Sequence, residues 1–478
     1  MGGAAAAGKA AAPAGMKTMI PDAAERAGMT FRVHLTGPGG KIVDRDFGPQ
    51  GGTVELKAGP WRITVKAYNS EPRLRGIVDQ IIQVKPGESQ TIMVTSAIGV
   101  RNEADLLNVM DTLTGTFLFN DPNKANNNLV VVENDFDLNA IIDIDSGRKY
   151  TIIAEPETTR TIRRVWGGIS ISYGSTLTLG RAGEAGTLIF DGLGVDPGMG
   201  APFIQAYSGG AVIIDGSTEI RRMVWTTNRG AAVLVLGGSS LELKSGKISG
   251  CVSEYGGAIC VEGAGNTFTM SGGEISGNEA SGATAGNGGG VEVSDGAAFT
   301  MNGGVINGNR ARVSGGGVHL DRDAVFIMTG GTINGNTVQP TGFGGGVLVD
   351  TGVNFTMTGG VINGNTAPQG GGVAVQVGSS ISPAGTFIMT GGVISGNSTP
   401  SGGNGGGVYA GNRGIFAKRG GTITGNNTAG TGPMAYTTLS GGAARTTEAG
   451  PGVRLYVDVS GNTFNDPLDS TGTANYWL

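Results

Sequence analysis

The residues equipped for chemistry are few, and the densest set lies in three neighbouring copies of one short phrase. GGAICV at Gly256, GGGVEV at Gly288 and GGGVHL at Gly315 put Cys260, Glu292 and His319 at one equivalent position. Asp321, Arg322 and Asp323 follow His319 directly. A thiol, a carboxylate and an imidazole in register would make a nucleophile-base or metal constellation. The competing reading is that three exposed polar residues share a column by coincidence. Spacing favours coincidence, because Cys260 and His319 would lie more than about 9 Å apart, two strand separations, with Glu292 between them. No cofactor and no metal is therefore expected, and Glu292 and His319 stand as catalytic candidates only.

A second set lies upstream: Asp143, Asp145, Asp191 and Asp215, with Arg160, Arg163, Arg164, Arg221 and Arg222. Hydrolysis of a glycosidic bond needs two carboxyl groups roughly 5 to 9.5 Å apart. Asp191 and Asp215 are the candidates, since each precedes Gly in the matching phrases FDG and IDG. The same phrases are turn formers, because Asp accepts hydrogen bonds from the backbone just beyond it. Trp166 and Trp225 could stack on sugar rings, with Arg163 and Arg164 beside them as binding candidates. Each Trp is equally suited to packing.

What must position these residues is a repeat. FTMSGGEISGN from Phe268 recurs as FTMNGGVINGN from Phe299, FIMTGGTINGN from Phe326, FTMTGGVINGN from Phe355, FIMTGGVISGN from Phe387 and FAKRGGTITGN from Phe416. The Phe spacings are 31, 27, 29, 32 and 29 residues. A period in this range means one supersecondary unit stacked many times. Each unit holds three short apolar runs, Gly-Gly-Gly-Val, Phe-x-Met and x-Ile-x-Gly-Asn, which is the arithmetic of a parallel β-helix.

Alternation along a strand then sorts the faces. Phe268/Met270 through Phe387/Met389 face inward, as does a ladder of Ile275, Ile306, Ile333, Ile362, Ile394 and Ile423. Asn278, Asn309, Asn336, Asn365, Asn397 and Asn426 form a corner ladder that satisfies backbone groups above and below. Cys251 takes the same position one rung earlier, as a buried free thiol. On this pattern the middle residue of each Gly-Gly-Gly-Val strand points outward. Function would then sit in spacer positions, variable loops and the irregular rungs before Leu241.

Residues 1–28 read as a flexible Ala/Gly/Pro-rich lead. Residues 29–99 read as a small β-sandwich with strands FRVHLTG, GTVELKAG, WRITVKAYN, DQIIQVKPG and SQTIMVTSA, and with Trp61 as a core anchor. Residues 100–114 read as an amphipathic capping helix, with Asn102 at its start and Glu103 and Asp105 in its first turn. Residues 115–478 read as the β-helix, most regular between about 230 and 430.

Composition removes several classes. Of 478 residues 91 are Gly, without the three-residue period of collagen. A formal charge of -5 and 15% charged residues leave no basic stripe for nucleic acid. No run approaches the roughly 20 apolar residues of a membrane helix. The first residues lack the apolar core of a signal peptide, so no leader is visible in this chain.

The Phe-x-Met, Gly-Asn and Gly-Gly-Ala-Ile phrases resemble the right-handed parallel β-helix, or pectin-lyase-like, superfamily. Within it they are most similar to bacterial surface proteins with polymorphic-membrane-protein or adhesin-type repeats. Gly256-Gly257-Ala258-Ile259 matches one hallmark of those repeats. The other departs, since this chain has Phe-x-Met where those repeats have Phe-x-x-Asn. The segment 29–99 is similar to small immunoglobulin-like sandwiches. The resemblance implies an all-β, non-catalytic, secreted or cell-surface rod for adhesion, with a glycan or another surface protein as partner. It also admits a polysaccharide lyase or glycoside hydrolase, and a structural filament or surface-layer rod.

Overall fold

A computed structural model describes residues 28–445, with interruptions at 49–53, 55, 57, 69–73, 85–94, 111–126, 184–185, 199, 283–285, 377–384, 401–402, 412–413, 429–434 and 439–443. The lead, residues 111–114 of the capping-helix reading and residues 446–478 of the β-helix reading lie outside the described residues. Contacts divide the chain into two units. One holds residues to Gly99 with Asp121–Val131, and the other holds Val100–Asn120 with the chain from Val132 onward.

The first unit is one antiparallel sheet of β1 (Thr30–Thr36), β2 (Ile42–Phe47), β3 (Gly59–Tyr68), β4 (Leu74–Val84) and β5 (Thr95–Ser96), in the order β2-β1-β3-β4-β5. The strand Ile42–Phe47 was not foreseen, because in IVDRDF three consecutive charges, Asp44, Arg45 and Asp46, break the apolar-polar alternation. Trp61, Leu35, Ile63 and Val65 make the core. A Cβ at Gly37 would lie 2.6 Å from the Trp61 ring, so only glycine lets the chain cross the indole.

The second unit starts with α1 (Glu103–Met110). The Asn102 carboxamide oxygen accepts the Asp105 N–H at 2.9 Å, which satisfies a donor the helix cannot. Leu106 and Met110 are buried. The Glu103 carboxylate accepts the N–H groups of Asn139 and Ala140, and the Tyr150 hydroxyl donates to the Val109 carbonyl at 3.1 Å. Polar contacts therefore fix the helix against the strands Phe136–Leu138 and Ile141–Ile144.

Beyond it rises a parallel β-solenoid of about ten turns. In the first sheet, ten strands run in register from Lys149–Ala154 to Ile415–Lys418. The second has eleven, from Phe136–Leu138 to Thr422–Thr424. The third starts at Ile141–Ile144 and passes through Val408–Ala410. Like residues pair with like: Phe299 with Phe326, Met301 with Met328, Ile306 with Ile333. The six rings from Phe268 to Phe416 stack 4.5 to 4.9 Å apart, so the ring spacing is the strand spacing. Parallel sheets need both faces covered, and the Phe, Met and Ile columns cover each sheet from within.

The corner after the second sheet is built from asparagine. Each Asn side chain donates to the next Asn oxygen and to an Ile carbonyl, as Asn336 does to Asn365 at 2.9 Å and to Ile306 at 3.0 Å. Its own oxygen accepts the backbone N–H of Asn309 at 2.9 Å. The Cys251 N–H ends the column on Asn278 Oδ1 at 2.9 Å. Cys251 is buried, and burial pushes its thiol up to about 12.

Three strands per turn was an undercount. A fourth, short sheet lies between the Asn corner and the third sheet: Val224–Arg229, Val252–Tyr255, Glu279–Ala280, Arg310–Ala311 and Thr337–Val338. Most of these are two-residue segments of varied composition, too brief to leave an apolar pattern.

Candidate functional site

The Cys260, Glu292, His319 column is not on the surface. The three residues are 0%, 3% and 2% exposed, and they sit in register on successive strands of the third sheet. Alternation does turn them away from the Val291 and Val293 face, but the loop entering each strand folds back over them. A Cβ on Gly315 would lie 2.8 Å from the His319 Cβ, and one on Gly256 would lie 3.1 Å from the Glu292 Cβ. The first glycine of each triplet also has positive φ, +65° at Gly315 and +53° at Gly256. The glycines are therefore what lets backbone pass directly over this column.

Burial makes the column an ionic cluster. His319 Nδ1 is 3.8 Å from Glu292 Oε1, and His319 Nε2 is 3.9 Å from Asp350 Oδ2. Both are ion pairs longer than hydrogen bonds. Burial works to discharge the imidazole, but the carboxylates of Asp350 and Glu292 outweigh it and push its pKa up to about 9. Burial also opposes ionisation of Asp350, and His319 outweighs that, holding the carboxyl below its usual value. For the Cys260 thiol, burial and the charge of Glu292 act together and raise it well above the ordinary range. A nucleophile needs the opposite shift. This cluster is a buried charge network, not an exposed constellation.

Asp191 and Asp215 are separated by the fold. Asp191 ends the strand Thr187–Asp191 of the second sheet, while Asp215 follows Ala211–Ile214 of the first. They occupy different corners, so the matching turn phrases do not bring them together. The buried Asp191 carboxylate takes Arg221 Nε at 2.9 Å, Arg222 Nη2 at 2.6 Å and the Leu193 N–H at 2.8 Å. Burial opposes its ionisation, and these partners win, holding its pKa below the usual carboxylate value. Asp215 accepts the Gly216 N–H and the Ser245 hydroxyl, each at 2.8 Å. Neither carboxyl is placed as a free acid or base.

The four binding candidates part company. Trp225 is 4% exposed, so it packs and offers no face to a ligand. Arg164 is buried and pins a loop: its Nε donates to Gly167 O and its Nη2 to Ala201 O, both at 2.8 Å. Burial lowers its pKa to about 10 against the opposing charge of Asp196. Trp166 is 48% exposed. Arg163 stays at the surface, held by Asp137 at 2.5 Å.

Trp166 has company that sequence reasoning missed. Among the described residues, the exposed large apolar side chains of the solenoid are Ile141, Val165, Trp166, Tyr173, Leu193, Val195 and Ile327. All but Ile327 fall between residues 141 and 195. Arg163 pairs with Asp191, and Val165 and Leu193 each lie two residues beyond that pair, in the turns that leave adjacent strands. Leu193 holds a left-handed conformation, φ +61°, which is strained for a branched side chain. The available signal was a clustering of apolar residues at turn positions where the regular rungs carry Gly and Asn.

The family model described as right handed beta helix region matches residues 198–359. The solenoid is a right-handed β-helix. No curated protein and no solved structure matches the chain. Among the described residues, no helix is long and apolar enough to cross a membrane, and no cluster of His, Cys, Asp or Glu is arranged to hold a metal ion.

Proposed function

We propose that this chain is a non-catalytic, exported binding rod that meets a glycan or a surface partner through the corner around Trp166. The observation that supports it is the gathering of Val165, Trp166, Leu193 and Val195 at the surface of adjacent rungs, beside the ion-paired Arg163. An exposed indole flanked by guanidinium is the composition of a contact centre, for a sugar face as for a protein. The regular rungs would serve as the spacer, and α1 as the cap that shields the first rung from edge-to-edge pairing. The sheet at residues 30–96 would be the immunoglobulin-like module of the adhesin reading.

The candidate carboxylates Asp191 and Glu292 favour binding over turnover, because each spends its charge on Arg or His inside the fold. The test is a glycan array run beside an assay for release of reducing or unsaturated sugar ends. Retention of a glycan by the full chain, weakened at least about tenfold by Trp166→Ala, is the expected result. Catalytic release of sugar ends would reject the proposal.

A further inference from the structure

Several rungs beyond the Trp166 corner, again between the second and third sheets, the solenoid carries a cleft that this corner does not account for. It holds about 400 Å³ and is lined by Arg312, Ser314, Gln339, Thr341, Phe343 and Gln376. Three successive rungs contribute to it, around the entry to the third sheet.

One aromatic residue there departs from its column, and a second lies close to it. Isolated bridges link Asn287, Ser314, Phe343, Gln369 and Asn404 in register, so an aromatic stands alone in a polar corner column. On the third sheet Tyr409 follows Leu348 and Ala374 in its column and pairs with Tyr436 on the next strand. The Phe343 and Tyr409 rings lie 6.3 Å apart at 36°, and both remain partly exposed. The polar walls are also unspent. Among the described residues the side chains of Arg312, Gln339 and Gln376 make no hydrogen bond or ion pair.

The backbone makes this a fixed site. The Phe343 carbonyl accepts the Gly315 N–H at 2.9 Å, and the Gly344 N–H donates to Gln369 O at 2.9 Å. A Cβ on Gly342 would lie 1.9 Å from the Val313 carbonyl oxygen, so glycine alone lets the loop descend beside that rung. The ring is thus held between two neighbouring rungs instead of riding on a free loop.

We infer that this cleft binds a hexose unit of a glycan, with the sugar's C–H face on Phe343 and its hydroxyls on Arg312, Gln339 and Gln376. An aromatic face supplies apolar contact, and amide and guanidinium groups supply the donors and acceptors that fix ring hydroxyls. The inference rests on the glycan form of the binding reading, at a site of its own.

The experiment is calorimetric titration of the full chain with cellohexaose, mannohexaose and chitohexaose, using wild type, Phe343→Ala, Phe343→Tyr and Trp166→Ala. One sugar binds wild type, loses at least about tenfold affinity in Phe343→Ala, and is recovered by Phe343→Tyr. Trp166→Ala leaves that Phe343-dependent binding in place. Far-ultraviolet circular dichroism checks that each variant keeps its fold. Equal binding by Phe343→Ala overturns the cleft and leaves the Trp166 reading standing. No binding of any of the three by wild type also overturns it, whereas the wider array decides the general reading separately.

Discussion

His319 is the residue with the most to tell, because its charge is held inside the wall of the rod. Glu292 and Asp350 face it at 3.8 and 3.9 Å, Cys260 lies beyond Glu292, and Arg322 reaches the same region from its pairs with Asp295 and Asp321. Its folded pKa of about 9 lies above the ordinary value of 6.5. Stability from this pairing is therefore complete below about pH 6.5 and is lost as pH rises through about 9. The loss amounts to about 3 kcal/mol when complete. Asp350 is shifted the other way, so its share is present above the usual carboxylate value and disappears as pH falls through its lowered one. The chain has only two histidines, so proton resonances can follow His319 directly. Its imidazole should hold its proton through neutral pH and release it near 9; release near 6.5 would contradict the ion cluster. His319→Gln should flatten the alkaline limb of stability against pH. This pairing was not legible in the sequence. Alternation alone turns Glu292 and His319 outward, and nothing in a string of glycines announces that the next loop lies across them.

At the scale of the rung, the columns were legible and the corners were less so. Phe, Met, Ile and Asn recur at fixed places in the phrase, and parallel pairing puts equals on equals. The fourth sheet left no pattern, since two-residue strands such as Arg310–Ala311 carry too few side chains to show a period. Asp191 and Asp215 looked alike because both precede Gly, yet one phrase ends a strand of the second sheet and the other leaves the first. The columns make firm predictions. Phe326→Ala removes a ring stacked between Phe299 and Phe355 and should cost about 3 to 5 kcal/mol. Hydrogen exchange should show the loss centred on the rungs around residues 299 to 357, because each rung contacts only its neighbours. Uniform loss along the solenoid would argue against that independence. Asn336→Ala leaves the Ile306 carbonyl, the Asn309 N–H and the Asn365 oxygen each short of a partner. At about 1 to 3 kcal/mol for each orphaned group, it should exceed the cost of the half-buried Thr300→Ala in urea unfolding.

For the whole molecule, the repeat that dominates the sequence builds the solenoid, and the departures from it hold the two binding surfaces proposed above. Trp166 and Val165 stand in irregular rungs, and Phe343 stands alone among polar residues in its corner column. A fold made of repeated packing solutions frees its surface to vary, which is why the architecture could be read from letters that say little about partners. The central claim is that this rod binds without turning over its ligand, and that the Trp166 corner makes the contact. The most direct measurement is glycan-array binding of the full chain and of Trp166→Ala, with the eluted sugars sized afterwards. The account predicts a wild-type signal, a loss of at least about tenfold in the variant, and sugars of unchanged length. Shortened sugars, or full binding by Trp166→Ala, would contradict it.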